Sequence, residues 1–321
     1  MAEGRREELR SAEPSGRGKA WSNRRAVRHD YVERGVKVGF FTDATLCIGC
    51  KACEVACKEW NDVPSTDASQ GAGDGRTGRS YDFTGELGAN TWRHVQFVEG
   101  TDEHGLPTWS FHSNVCKHCE RAGCLEACPT GAIVRTEVGS VLVQDDVCNG
   151  CGYCVVSCPF GVVDRRADGV AAPRGAGAPG VGGAHKCTFC IDRQSEGRLP
   201  ACATACPTDS ILFGPLDALE EHAVTRIDVL RRRGREGFTV YDGSGGSVGR
   251  VHAMSLLPPP GQGPAEEGAA EDSPAGSVEG LWGLPTSPDV PADHLPVAWS
   301  SAAVTVLVAI LLVVLAWGTP T

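Results

Sequence analysis

Apolar positions in this chain fall into short runs separated by polar, glycine-rich stretches, and two segments depart from that pattern. In the first, Leu216, Leu219, Ala223, Ile227 and Leu230 recur at helical spacing before Gly234. This predicts an amphipathic packing helix over 216–233 with a partly basic outer face. The second is 297–317, an uncharged run long enough to cross a hydrocarbon layer ~30 Å thick, with Trp299 and Trp317 placed as interfacial anchors. The shorter runs are β-rich. Val36–Thr42 predicts a strand, Thr91–Glu99 and Thr108–Phe111 a hairpin, Ala132–Arg135 with Val141–Gln144 a second hairpin, and Phe238–Tyr241 a further strand.

The polar stretches divide the rest. Residues 1–35 read as a solvated leader, 58–91 as an extended loop, 169–183 as a flexible surface insertion and 258–296 as a Pro/Gly/acidic tether. The expected organisation is an α+β body over 36–257, the tether, and a transmembrane helix over 297–317. No apolar run follows the basic N-terminal residues, so no cleavable signal peptide is expected. Arg24-Arg25 does not make a twin-arginine signal, because the residues after it are charged.

Sixteen cysteines carry the chemistry, and all of them fall into four groups. These are Cys47-x2-Cys50-x2-Cys53-x3-Cys57, then Cys116-x2-Cys119-x4-Cys124-x3-Cys128, then Cys148-x2-Cys151-x2-Cys154-x3-Cys158, and finally Cys187-x2-Cys190-x11-Cys202-x3-Cys206. The third is the bacterial ferredoxin run for a cubane [4Fe–4S] cluster, in which the fourth cysteine ligates the neighbouring cluster. Three groups end in Cys-Pro, and the proline is expected to open a helix that leads away from the cluster. Structural zinc sites use two cysteine pairs with a longer spacer, which Cys187/Cys190 with Cys202/Cys206 could imitate. The other three groups are too crowded for that, and their regularity argues against disulfides. His118 and His185 are expected to be supporting or surface residues and not ligands. No C-x-x-C-H haem string is present.

The remaining composition narrows the function. With 30 basic and 40 acidic side chains the chain has no cationic stripe, so nucleic acid is not an expected partner. Walker loops, G-x-S-x-G and G-x-G-x-x-G between strand and helix are all missing. The pattern favours a carrier of electrons over a catalyst.

The stretch Phe40–Trp60 resembles the opening cluster motif of the iron–sulfur (beta) subunits of membrane-associated formate dehydrogenases. Asn114–Cys119, Cys148–Cys154 and Lys186–Arg193 resemble the other three motifs. The resemblance covers about 36–257, and a single C-terminal membrane helix is also a family feature. It implies two ferredoxin-like halves carrying four [4Fe–4S] clusters with crossed ligation. Cys47, Cys50, Cys53 and Cys206 would hold the first cluster, and Cys57, Cys187, Cys190 and Cys202 the second. Cys116, Cys119, Cys124 and Cys158 would hold the third, and Cys128, Cys148, Cys151 and Cys154 the fourth. In related nitrate reductase subunits a tryptophan replaces one cysteine of the third group, whereas Cys151 and its neighbours are all present here. The implied partners are a molybdopterin-containing catalytic (alpha) subunit, with molybdenum or tungsten, and a cytochrome b (gamma) subunit passing electrons to quinone. The implied location is the cell membrane with the globular part outside the cytoplasm. Two alternatives are the same relay serving another molybdoenzyme or a hydrogenase, and a zinc-stabilised scaffold.

Overall fold

The computed structural model describes residues 35–64, 82, 85–101, 105–166, 182–259, 282, 284–285 and 288. The leader, most of the insertion and tether, and the whole of 297–317 lie outside these residues. Among the described residues no helix is long and apolar enough to cross a membrane.

Strand β1 (Val38–Asp43) is the backbone of the body. All six of its residues are buried, which is why its sequence lacks the alternation of a half-exposed strand. It lies between β8 (Ile211–Pro215), antiparallel, and β10 (Ala253–Leu257), parallel, and β9 (Thr239–Tyr241) completes the order β8-β1-β10-β9. Strands β8 and β10 are absent from the sequence reading, because short buried apolar runs carry no period. The predicted amphipathic helix is Leu216–Arg232, with Leu216, Leu219, Ala223 and Leu230 buried. The close approach to β1 requires glycine at 39, where a Cβ would stand 2.4 Å from the His252 carbonyl oxygen and 2.8 Å from Leu216. From the same helix Arg226 pairs with Asp43 at 2.6 Å and donates to Thr45 at 2.8 Å, fixing the end of β1 where the first cysteine loop begins.

The first hairpin is longer than predicted. Strands β2 (Arg93–Thr101) and β3 (Pro107–Val115) pair antiparallel, with Phe97 opposite Phe111 and their rings 5.0 Å apart. The second is β4 (Ile133–Arg135) with β5 (Val141–Val143). A two-residue ladder of β6 (Asp164–Arg165) with β7 (Ala184–His185) closes the base of the insertion. Helix α1 (Ala52–Trp60) runs into what the sequence suggested was loop. The other helices are short: α2 (Gly123–Glu126), α3 (Tyr153–Val156), α4 (Ile191–Ser195) and α5 (Ala201–Ala205), so 216–232 is α6.

The expected tether is anchored to the body. Trp282 is fully buried against Val98, Tyr241 and Leu257, and its carbonyl accepts from Gln96 at 3.1 Å. The Tyr241 hydroxyl donates to the Pro285 carbonyl at 2.9 Å. One large aromatic is enough to hold a Pro/Gly-rich segment, because its burial outweighs the ordering of a few residues.

Candidate metal centres

Each cysteine loop has a left-handed residue at the third position of its C-x-x-C. These are Gly49 (φ 67°), His118 (φ 46°), Gly150 (φ 71°) and Phe189 (φ 57°). Such a turn aims successive backbone N–H groups into a concavity suited to anions, here to cysteine sulfur. The Phe189 N–H stands 3.4 Å from Cys187 Sγ.

A short helix then carries the third cysteine: Cys53 on α1, Cys124 on α2, Cys154 on α3 and Cys202 on α5. The Cys-Pro steps do not open helices as expected. Cys128-Pro-Thr-Gly131 and Cys158-Pro-Phe-Gly161 are tight turns closed by N–H···O bonds of 3.3 and 3.2 Å, with the glycines at φ 66° and 59°. Proline's fixed φ suits the second position of such a turn as well as it suits a helix start. Asp209 takes the matching left-handed position after Cys206-Pro-Thr. Thr130 and Thr208 place hydroxyls 3.6 and 3.7 Å from Cys128 and Cys206.

These loops bring cysteines of different groups together. One cavity of about 300 Å³ is lined by Cys47, Cys50, Cys53 and Cys206, and one of about 290 Å³ by Cys128, Cys148, Cys151 and Cys154. Several thiols feel the sulfurs of their expected set. Burial pushes Cys47 up to about 11, opposed by the Gly49 N–H and reinforced by Cys53, Cys206 and Cys50. Cys154 is also pushed up to about 11, by burial and then by Cys148, Cys151 and Cys128. Cys57 lies well above the ordinary thiol range through burial and then Cys187, Cys202 and Cys190. Cys119 does so through burial and then Cys116, Cys158 and Cys124.

Electrostatic influence also crosses between the expected sets, from Cys202 to Cys53, from Cys116 to Cys187 and from Cys154 to Cys124, the order expected of a row. The first and fourth sets are therefore outer cages and the second and third inner ones. Each outer cage has one exposed cysteine, Cys50 or Cys151, while every inner cysteine except the half-buried Cys158 is buried. Exposed apolar side chains flank the outer loops: Leu46, Ile48 and Val55 at one end, Val147, Tyr153 and Val156 at the other.

Among the described residues no three His, Cys, Asp or Glu side chains are disposed to hold a single metal ion. The donors of the first and fourth sets instead ring a space. That is the requirement of a cubane, whose irons each take one thiolate. Burial disfavours the thiolate at Cys57, Cys119 and Cys187, and a cationic iron core would supply the charge that favours it.

The two histidines are both buried, so neither is a surface residue. His118 Nδ1 accepts the Val141 N–H at 2.9 Å, and burial, with Lys186, His252 and Arg135, holds its ring well below the usual histidine range. The sequence reading missed the buried cations Arg93, Lys117 and Lys186. Arg93 shares strand parity with Val95 and Phe97, which was the available signal for an inward-facing position. Arg193 and Arg198 both lie over the Trp60 ring, at 4.3 and 4.5 Å, and Trp60 Nε1 donates to Asp192 at 2.7 Å. The first and fourth cysteine groups are thereby stapled outside their sulfurs.

Two family models, each described as a 4Fe-4S dicluster domain, match residues 46–132 and 107–216 and between them take in all sixteen cysteines. The formate dehydrogenase iron-sulfur subunit of Haemophilus influenzae is 38% identical over 223 residues, 69% of this chain and 65% of that protein. The nitrate-inducible formate dehydrogenase iron-sulfur subunit of Escherichia coli is 36% identical over 249 residues, 77% of this chain and 76% of that protein. A thiosulfate reductase electron transfer subunit of Salmonella typhi is 40% identical over 179 residues, 56% of this chain and 76% of that protein. The body is thus two ferredoxin-type dicluster domains of mixed α and β structure, and by the length and identity of these matches the chain belongs to the family of formate dehydrogenase iron–sulfur subunits.

Proposed function

We propose that this chain is the electron relay of a formate dehydrogenase complex, with no catalytic activity by itself. Four [4Fe–4S] clusters, when bound, supply one-electron redox steps over potentials the protein sets. The protein's part is to hold them in a row, keep water from the middle pair and leave the end pair approachable. The observation that carries the reading is one exposed cysteine in each of the first and last sets, Cys50 and Cys151, against an almost wholly buried interior.

In this reading each four-cysteine set ligates one cluster, so that Cys206, Cys57, Cys158 and Cys128 each serve a cluster outside their own loop. Electrons released from formate at a molybdenum- or tungsten-containing catalytic subunit enter at one outer cage. They leave at the other toward a membrane cytochrome b and quinone. The body over 36–257 is tethered through 258–296 to a bilayer-spanning 297–317, with the body outside the cytoplasm. The exposed apolar side chains at both ends suit docking to protein partners better than contact with water.

Another molybdoenzyme as the partner has support from the thiosulfate reductase and dimethyl sulfoxide reductase relatives, which align over 56–57% of the chain. Anaerobic addition of formate to the detergent-solubilised complex separates the two. Prompt bleaching of the visible cluster absorbance is expected. Bleaching with dithionite alone would retain the relay and remove formate as its donor.

A further inference from the structure

Arg93 is 1% exposed, among the largest fully buried side chains of the molecule. Its guanidinium stacks over the Phe40 ring at 4.7 Å. Nη1 donates to Ser113 Oγ at 3.0 Å and to the Ser113 carbonyl at 3.3 Å. Nε and Nη2 are buried without a partner. Leaving two charged N–H donors unpaired in a core costs several times an ordinary hydrogen bond, so their direction calls for an acceptor.

The surroundings name that acceptor. Ser113 Oγ lies 3.2 Å from Cys53 Sγ. Because the serine oxygen accepts from Arg93, its own proton is free to point at the sulfur, giving a path Arg93 to Ser113 to Cys53. Nε and Nη2 are the donors left for a second cage. Burial pulls the Arg93 charge down, but Cys202, Cys53, Cys187 and Cys57 outweigh it and leave it above the usual arginine range. One of those sulfurs belongs to the first outer cage and three to the first inner cage. No carboxylate stands among these influences.

We infer that Arg93 is a shared positioning residue for the first two clusters, a fixed positive charge and hydrogen-bond donor set between their cages that raises both reduction potentials together. This rests on the relay reading and on its ligand sets. The physics is that a cluster gains negative charge on reduction, and a buried cation favours that state. Ser113 extends the effect to the outer cage alone, through its hydroxyl.

The test is an anaerobic redox titration by electron paramagnetic resonance of the intact complex, with signals assigned through single cysteine variants. Arg93→Met is expected to lower the potentials of the first two clusters by at least a tenfold change in equilibrium constant, 59 mV for a one-electron couple, and to leave the third and fourth in place. Ser113→Ala is expected to lower only the first, by less. Arg93→Lys keeps the charge without the fork, and is expected to load fully with a smaller negative shift confined to the same two clusters. If Arg93→Met fails to load its clusters, Arg93→Lys decides the question. A loaded Arg93 variant with unmoved potentials, or with all four moved equally, overturns the inference. A wild-type complex without four cluster signals would fail the relay reading instead, so the two failures are distinct.

Discussion

The outer and inner loops share a left-handed turn inside C-x-x-C and differ in the residue that makes it. At the third position of C-x-x-C the outer loops have glycine, Gly49 or Gly150, and the inner loops have His118 or Phe189. A side chain in that conformation costs roughly 1–2 kcal/mol, so the inner loops need a return from packing. They have one. The His118 and Phe189 rings lie 3.7 Å apart, and Phe189 also meets Phe40 at 5.0 Å and Phe213 at 5.8 Å. Two strained residues thus fill the middle of the core where the inner cages meet, while the glycine loops stay thin and open to solvent. The comparison teaches that burial of a cluster is set by the residue between its cysteines as much as by the cysteines.

The largest contrast lies in the cysteines themselves. Cys57→Ala removes a buried inner corner that also staples distant segments, and is expected to prevent accumulation of folded protein, since obligatory metal sites fold with their metal. Cys50→Ala removes an exposed outer corner. Its product is expected to stay folded with one cluster lost or converted, as read by iron content and circular dichroism. Equal behaviour of the two variants would erase the distinction between cages.

Cys128→Ala sharpens the same picture. Its cluster signal is expected to vanish from the set of Cys148, Cys151 and Cys154, while the signal of its sequence neighbours Cys116, Cys119 and Cys124 persists. Loss confined to the neighbours' cluster would break the crossed ligation.

A packing test follows. Phe189→Ala empties the centre of the inner region and is expected to cost about 3–5 kcal/mol in anaerobic denaturant unfolding. Gly150→Ala imposes left-handed strain and is expected to cost about 1–2 kcal/mol by the same measurement. A larger loss at Gly150 would mean that the outer loop is not the permissive one.

Much of this was legible before any fold was known. The spacing of the cysteines marked every loop, and the period of Leu216, Leu219, Ala223, Ile227 and Leu230 marked α6. Strands β8 and β10 were not legible, because Ile211–Pro215 and Ala253–Leu257 are short and buried on both faces. The Cys-Pro steps misled, since proline's φ serves a turn and a helix start equally. Arg93 and Ser113 were hidden for a different reason. They stand on facing strands of the hairpin, 20 residues apart, and their chemistry exists only once β2 and β3 pair. Trp282 lay in a stretch whose composition alone suggested no attachment.

The most direct test of the contrast is relaxation enhancement of the reduced, four-cluster subunit by a soluble dysprosium complex, read by electron paramagnetic resonance. Two of the four cluster signals are expected to relax markedly faster, and these should be the ones altered by Cys50→Ala and Cys151→Ala. Uniform enhancement of all four signals, or selective enhancement of those tied to Cys57 and Cys119, would contradict a row with exposed ends and a buried middle.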